Sequence, residues 1–382
     1  MLKCQKDLFS IDKSVTYLNC AYMSPLLKSV EEAGIIGMQG KRTPSKTTAQ
    51  DFFTGVKKLK SAFSELINCP DPNRIAILSS VSYGISTVCK NIKLTAGDKV
   101  IVMGEQFPSN YYPWKRLCDE SGAELVTISA PDSQNRGEDW NKKILDAIDD
   151  KVAVVAMAHV HWADGTLFDL IAIRAKTKSI GALLIIDGTQ SVGALPFDVS
   201  IIQPDALICA GYKWLLGPYS SGVGYFGPAF DNGIPLEENW INRFESEDFA
   251  GLVNYNDNYQ PGAGRYSVGE QSNFILVPML TESIQQLLNW GVENIQNYCQ
   301  ELFRDGIKEL KAAGFVIEQD SYRGHHLFGI RCTDAQKLER IKISLANAGI
   351  SVSMRGSAIR VSPHVYNDKN EVNKFVKTLI SA

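Results

Sequence analysis

What the sequence lacks already excludes several classes of protein. No run of apolar residues is long enough to cross a membrane, and the first residues lack the apolar segment of a secretory signal. Neither sign of charge predominates, because 39 Lys and Arg stand against 42 Asp and Glu, so no strong field favours nucleic acid or anionic lipid. We therefore expect a cytoplasmic protein with no nucleic-acid partner and no membrane partner.

Cysteine and histidine are present, but not in the patterns of metal or disulfide sites. The eight cysteines are scattered and form no C-x-x-C pair, and the five histidines have no carboxylate-rich cluster beside them. The sequence therefore predicts neither a metal site nor a disulfide framework. A reducing compartment fits this cysteine usage.

The spacing of the apolar runs predicts an α/β domain with a mainly parallel sheet. Short apolar runs alternate with helix-like segments, and two of the runs, 152–156 and 183–186, are apolar on both faces, as in the central strands of a covered parallel sheet. The predicted strands are residues 74–78, 99–103, 124–128, 152–158, 183–186, 206–209 and 222–226. This alternation is typical of α/β domains.

After about residue 278 the pattern changes to that of a smaller α+β domain. Residues 278–300 have strong helical periodicity without a strand beside them. Further strands are expected at 315–317, 326–331, 350–353 and 358–361, with helices at 335–348 and 370–380. At 382 residues the chain has room for two domains. We predict a large domain over 16–277, a small domain over 278–382 and an N-terminal segment over 1–15.

Three chemically distinct features follow predicted strands, where ligands of open parallel sheets bind. Asp187 follows one strand, Lys213 follows the next, and residues 79–82 (Ser-Ser-Val-Ser) lead from the first strand into a probable helix. Together they suit pyridoxal 5'-phosphate (PLP). A helix N-terminus favours the phosphate, a carboxylate holds a proton on the ring nitrogen, and an amine bonds to the aldehyde. Each feature alone has a plainer interpretation as a helix cap or a surface residue, but the combination favours PLP.

Residues 222–227 match the dinucleotide fingerprint G-x-G-x-x-G. That motif normally follows a strand and opens a helix, whereas these glycines lie inside a strand-like run and Pro228 follows them. We interpret the match as accidental. A nicotinamide-dependent oxidoreductase is kept as the alternative from another class.

Four segments resemble the class V aminotransferase family of fold-type I PLP enzymes, closest to its isopenicillin N epimerase-like and cysteine desulfurase-like branches. Residues 181–193 (GALLIIDGTQSVG) resemble the D-G-A-Q-x-x-G segment, and residues 211–218 (GYKWLLGP) resemble the G-H-K-x-x-G-P lysine segment. Residues 17–21 (YLNCA) and 354–367 (MRGSAIRVSPHVYN) match the family near either end. The resemblance implies a fold-type I PLP-dependent transferase that forms a homodimer, with active sites near the subunit interface.

The resemblance also implies roles for individual residues. Lys213 would be the catalytic Schiff-base lysine that moves the Cα proton. Asp187 would pair with the pyridinium nitrogen, and Gln190 would lie near the phenolic oxygen. The phosphate-binding positions are held by Ser80, Val81 and Ser82.

Three further cofactor-binding positions depart from the family pattern. Phe107 stands where most members have a histidine stacked on the ring, and a Phe can stack but cannot act as an acid. Tyr212 replaces the usual histidine before the lysine, and Trp162 falls where desulfurases have an asparagine. For substrate binding, Arg360 matches the arginine that holds the α-carboxylate in a bidentate fashion. Arg355 is expected as a second cation, although a surface ion pair is an equally open interpretation.

Two other departures bear on function and assembly. Cysteine desulfurases need a cysteine on the loop before the C-terminal arginine, and residues 351–359 contain none. The family's phosphate-binding threonine from the neighbouring subunit aligns with Glu270, which is a poor phosphate partner. Gln271, Ser272 or a backbone N–H is then expected to replace it.

The sequence thus predicts an enzyme that acts at the Cα of a small-molecule amino acid or related amine. An aminotransferase class V type activity is the first expectation. Epimerisation and β- or γ-elimination are the alternatives, since all three begin with removal of the Cα proton by the lysine. The choice depends on the side-chain pocket, which the sequence does not define.

Overall fold

The computed structural model describes residues 2–332 and 334–382. Its strands in chain order are β1 Thr16–Tyr17, β2 Ile75–Leu78, β3 Lys99–Met103, β4 Glu124–Ile128, β5 Val152–Ala158, β6 Leu183–Asp187, β7 Ala206–Ala210, β8 Gly222–Phe226, β9 Val316–Ile317, β10 Phe328–Arg331, β11 Ile350–Ser351, β12 Ser353–Arg355 and β13 Ala358–Val361. The α-helices are α1 Lys28–Gly40, α2 Asp51–Leu66, α3 Val81–Lys90, α4 Tyr112–Ser121, α5 Arg136–Ala147, α6 Leu170–Ile180, α7 Val199–Ile202, α8 Leu276–Trp290, α9 Val292–Ala312, α10 Ala335–Asn347 and α11 Lys369–Ile380.

The main sheet has seven strands in the order β2-β8-β7-β6-β5-β3-β4. Strand β8 runs antiparallel to β2 and β7, and the other neighbours are parallel. All seven predicted strands are present, each within one residue of its predicted ends. The prediction of an α/β fold with a mainly parallel seven-stranded sheet is therefore confirmed.

Alternate side chains of each central strand enter different hydrophobic layers. On β5, Val155 and Met157 belong to one buried cluster, whereas Val154 and Ala156 belong to the cluster on the opposite face. This two-residue alternation is the geometry of a pleated strand. It explains why the central strands are apolar on both faces, since helices cover the sheet on both sides.

A second sheet of four antiparallel strands, in the order β12-β13-β10-β9, forms near the C-terminus. Helices α9 and α11 pack against each other, and together with α10 they surround a separate buried cluster that includes Phe328 and Phe375. Strand β1 pairs with β11, so the start of the chain also meets this region.

Residues 278–300, which the periodicity predicts to be helical, lie in two successive helices. Helix α8 ends at Trp290 and α9 begins at Val292, and Gly291 between them has a positive φ of 76°, which favours glycine. Helix α8 packs against α1 and α2 rather than on the second sheet. The domain boundary at 277/278 stays a prediction.

The run that matches the dinucleotide fingerprint forms strand β8. A Cβ on Gly222 would lie 2.8 Å from the carbonyl oxygen of Cys209, so this glycine allows close approach of β7. A short 3₁₀ turn over Pro228–Phe230 follows, in place of the helix that a dinucleotide site requires.

Within residues 2–332 and 334–382, none of the helices is both long and apolar enough to span a bilayer.

Candidate active site

A cavity of about 270 Å³ opens at the carboxyl edge of the main sheet. The carboxyl ends of β2, β5, β6 and β7 reach this edge together with the N-terminus of α3. The residues that line the cavity are Ser79, Ser80, Val81, Ser82, Gln106, Phe107, Ser109, Ala158, Val160, His161, Trp162, Asp187, Thr189, Gln190, Ala210, Tyr212, Lys213, Tyr219, Ser220 and Ser221. Every predicted cofactor-binding residue is in this set.

Lys213 is buried, with 6% of its surface exposed, just after β7. Its Nζ lies 5.2 Å from the ring centroid of Phe107 and 5.5 Å from that of Tyr212. Burial lowers the pKa of Lys213 to about 8, and the nearby Arg360 and Arg355 also lower it, whereas Asp187 acts in the opposite direction. The amine is therefore much closer to its neutral, nucleophilic form than an exposed lysine is.

Asp187 ends β6 and is the carboxylate that lines the cavity. Burial raises its pKa, while hydrogen bonds from Thr189 and the charge of Lys213 lower it. The backbone N–H of Thr189 donates to the Asp187 carboxylate at 3.0 Å, which fixes the orientation of the carboxyl group. A buried carboxylate held in this way can keep a proton on a heterocyclic nitrogen.

Gln190 is held by the protein at both ends of its amide. Its Nε2 donates to the carbonyl oxygen of Ala21 at 3.2 Å, and its Oε1 accepts from the indole N–H of Trp214 at 2.8 Å. One amide hydrogen of Gln190 remains for a ligand. Its expected position near a phenolic oxygen stays a prediction.

The start of α3 forms the anion-binding side of the cavity. Ser80 caps the helix, because its Oγ accepts the backbone N–H of Tyr83 at 3.1 Å. The hydroxyls of Ser80 and Ser82 lie 2.9 Å apart. The first N–H groups of the helix, beginning with that of Val81, carry the positive end of the helix dipole. These groups suit a phosphate.

Aromatic side chains form the remaining wall. Phe107 and Trp162 meet edge to face, with ring centroids 5.5 Å apart. The indole N–H of Trp162 donates to the carbonyl oxygen of Glu105 at 2.6 Å, which fixes the indole against the cavity. Tyr212 packs on Tyr219 with centroids 4.6 Å apart, and burial raises the pKa of the Tyr212 phenol. Flat apolar surfaces of this kind favour a planar aromatic ligand.

The two predicted substrate arginines lie next to this wall but do not line the cavity themselves. Arg360, on β13, is 1% exposed, and its Nη1 donates to the backbone oxygen of Trp162 at 2.8 Å. The guanidinium of Arg355 stacks over the Trp162 ring at 5.2 Å. Trp162 thus connects both arginines to the cavity.

Sequence reasoning missed Tyr219, Ser220 and Ser221, which line the cavity beside Ser80. Site residues were predicted at positions that follow strands, whereas these three residues precede β8. Because β8 is antiparallel to β7, its amino end lies at the same edge as the carboxyl ends of the parallel strands. Their position directly before the glycine-rich run is the sequence feature that could have indicated them.

The cavity residues fit PLP in chemistry and in arrangement. A helix N-terminus with two serines would hold the phosphate, a buried carboxylate would pair with the ring nitrogen, aromatic rings would supply stacking surfaces, and a buried lysine amine would bond to the aldehyde. These groups come from α3, β6 and the segments after β3 and β7, and the fold brings them to one cavity.

Comparison with known proteins identifies the family of the chain. The family model for class V aminotransferases matches residues 38–375, and the chain belongs to this family. Family membership confirms the prediction of a fold-type I enzyme whose cofactor is pyridoxal 5'-phosphate.

The individual relatives are named for different activities. A probable cysteine desulfurase of Methanothermobacter thermautotrophicus is 31% identical over 330 residues, which cover 80% of this chain and 78% of the relative. The uncharacterized aminotransferase YcbU of Bacillus subtilis is 24% identical over 318 residues, covering 83% of this chain and 81% of the relative. The solved structure of the cystine C–S lyase C-DES with its product cysteine persulfide superimposes with a TM-score of 0.84 at 19% identity, covering 96% of this chain and 98% of that chain.

Proposed function

We propose that this protein is a PLP-dependent enzyme that acts at the Cα of an α-amino acid, with Lys213 both holding the cofactor and transferring the Cα proton. One observation carries the proposal. The buried amine of Lys213, whose pKa is lowered to about 8, shares a single cavity with the buried carboxylate of Asp187 and the N-terminus of α3. When bound, PLP supplies an electron sink for the carbanion that forms at Cα. All other steps fall to residues of this chain.

Lys213 is the group best suited to move the proton. Of the other titratable side chains in the cavity wall, Tyr212 stays a neutral phenol because burial raises its pKa. The ring of His161 is 4.9 Å from that of Trp140, and its Nδ1 is paired with Asp164 at 3.2 Å. Phe107, across from the lysine amine, has no proton to exchange. We therefore assign the proton transfer to Lys213.

Proton transfer by Lys213 alone favours transamination among the open reactions. In transamination the same lysine takes the proton from Cα and delivers it to the cofactor carbon, so no second acid is needed. Epimerisation through two bases would require a titratable group where Phe107 stands. Elimination is the second candidate, because relatives are named cysteine desulfurase and cystine C–S lyase. A thiolate or persulfide leaves without strong acid assistance.

The test has two parts. Borohydride reduction of the holoenzyme followed by peptide mapping should place the pyridoxyl group on Lys213, and a label on another lysine would overturn the assignment. Incubation with an amino-acid panel then separates the reactions. A transaminase releases about one keto acid per subunit and turns over only when a keto-acid acceptor is added. A lyase releases ammonia continuously without an acceptor.

We further propose that the enzyme works as a homodimer, as the sequence predicts. An exposed apolar patch supports this proposal. We define the patch as the exposed residues Ile36, Trp240, Phe249 and Phe274 together with the half-buried Phe52. Phe52 contacts the other three aromatic rings at centroid distances of 5.2–6.1 Å, and the backbone of Phe274 packs directly against Gly37 of α1. Contiguous exposed apolar surface of this kind commonly marks an interface.

A further inference from the structure

Arg355 and Arg360 project from the same face of the small sheet. In the antiparallel pair β12–β13, Ser353 is opposite Arg360 and Arg355 is opposite Ala358. Residues directly opposite share a face, and so do residues two positions apart on one strand. The two guanidinium groups are therefore diagonal neighbours. Both contact Trp162, which lines the cavity, so this face is turned toward the active site.

Neither guanidinium is neutralised by the protein. Among residues 2–332 and 334–382, no carboxylate oxygen lies within 4 Å of either one. Arg360 donates to two neutral oxygens, of Trp162 and Ser353, and its buried Nε has no partner. Arg355 donates to the carbonyl oxygen of Met354, and its buried Nε also has no partner.

This arrangement is electrostatically unfavourable in the free enzyme. Arg360 is almost fully buried, and its hydrogen bonds to two neutral oxygens replace only part of the hydration that a buried cation loses. Burial lowers the pKa of Arg360 to about 10, and the like charge of Arg355 adds to the effect. Both arginines also act on Lys213, so three basic groups share this region with the carboxylate of Asp187.

The α-carboxylate of an amino acid neutralises only one of these arginines. Arg360 is the one suited to that role, because it is the deeper of the two and a neutral hydroxyl, that of Ser353, already orients it. Arg355 would then remain unpaired beside the substrate. A half-buried guanidinium that stacks on an aromatic ring keeps its in-plane N–H groups free for an anion. An anionic substituent on the substrate side chain would complete the charge balance.

We propose that the substrate is an α-amino acid with a second anionic group on its side chain, held by Arg355 while Arg360 holds the α-carboxylate. This inference rests on the proposed function, because it assigns the substrate class of the same site. Arg355 is thereby a specificity-determining residue. A substrate with two anionic groups would pair with both arginines on this face, whereas a neutral amino acid would pair with only one.

The test compares amino acids of equal size that differ in charge. L-Glutamate against L-glutamine, and L-aspartate against L-asparagine, are titrated into the holoenzyme while its absorbance spectrum is followed. We expect the acidic member of the preferred pair to bind at least roughly tenfold more tightly, the effect of one charge-assisted contact. L-Cysteate tests a sulfonate in the same position. Preference for it over L-asparagine would also support the proposal.

Variants test whether Arg355 causes the preference for the acidic amino acid. Arg355→Gln should bring the acid-to-amide affinity ratio to within about threefold of unity, because the acid loses much more affinity than the amide does. Arg340→Gln, on α10, is the matched control and should keep the parent ratio. A second readout does not involve the reaction: glutarate should raise the melting temperature of the holoenzyme more than butyrate does, and Arg355→Gln should remove the difference.

Two results would overturn the inference: equal affinities for acid and amide in the parent enzyme, or a ratio unchanged by Arg355→Gln. Failure of the proposed function would give different experimental results from failure of this inference. In that case no amino acid would perturb the spectrum, and borohydride would not label Lys213. If Lys213 is labelled and neutral amino acids bind best, only the assignment of a second anion is lost.

Discussion

The amine of Lys213 lies among charges whose effects on its pKa oppose one another. Burial lowers the pKa to about 8, Arg360 and Arg355 lower it as well, and Asp187 raises it. Since only the neutral amine bonds to an aldehyde, these charges set the pH range in which the enzyme takes up its cofactor. A lowered pKa means that a larger neutral fraction is present at any given pH.

We predict that the rate at which the apoenzyme combines with PLP rises with pH, with a midpoint near 8. Arg355→Gln removes a like charge and should move the midpoint upward. Asp187→Asn removes the opposite charge and should move it downward. The measurement is stopped-flow absorbance across pH, with Arg340→Gln as a control that keeps the parent midpoint. A midpoint near the ordinary lysine value, or shifts of both variants in one direction, would contradict this account of the charges.

The same residues show how far sequence reasoning reaches. Asp187 and Lys213 were predicted because each directly follows an apolar strand, and the fold brings both to one cavity. The contact of Trp162 with both arginines could not be predicted, because it joins residues about 200 positions apart across two sheets. Sequence spacing carries no information about such a contact. Packing of the two sheets determines it.

At the scale of elements, the segment before Arg360 is a tight hairpin. Arg355 pairs with Ala358, so only Gly356 and Ser357 form the turn, and Gly356 adopts a left-handed φ of 56° as two-residue hairpin turns require. The sequence predicted strand over 350–353 and 358–361 but not the short strand β12. Val352 separates β11, which pairs with β1, from β12, which pairs with β13. That division depends on partners distant in sequence.

This hairpin has consequences for sulfur chemistry. It has no cysteine and no long loop on which a thiol could approach the substrate. Cys20, which lies near Lys213, is fully buried, and burial raises its pKa to about 12. A thiol in that state is a poor nucleophile at neutral pH.

We therefore predict that a persulfide on the enzyme does not form at a useful rate. With L-cysteine and a reductant, sulfide release should be at least roughly a hundredfold slower than turnover of the preferred substrate, the scale of loss expected without the attacking group. Pretreatment of the holoenzyme with iodoacetamide should leave turnover unchanged. Rapid sulfide release that iodoacetamide abolishes would show that a cysteine of this chain reaches the substrate.

At the scale of the whole molecule, the apolar patch of Ile36, Phe52, Trp240, Phe249 and Phe274 is the surface that a second subunit would cover. Ile36 is 60% exposed, in a helix whose neighbouring residues Ile35 and Met38 are also exposed. The sequence predicted the homodimer from family resemblance alone. The residues that would form its interface are visible only once folding brings α1 and α2 together with the segments around residues 240–250 and 274.

We predict that the holoenzyme sediments with the mass of two 42.2-kDa chains. Ile36→Asp combined with Phe274→Ser should raise the dissociation constant of the dimer by at least about tenfold, since charged or small residues at an interface centre lose the energy of apolar burial. Ile343→Asp is the matched control, because Ile343 is 59% exposed in α10, outside the patch. The dissociation constants of the parent, the double variant and the control are measured by sedimentation velocity over a concentration series. Circular dichroism checks that each protein is folded. If the parent sediments as a single chain at every concentration, or if the control weakens the dimer equally, the patch is not the dimer interface.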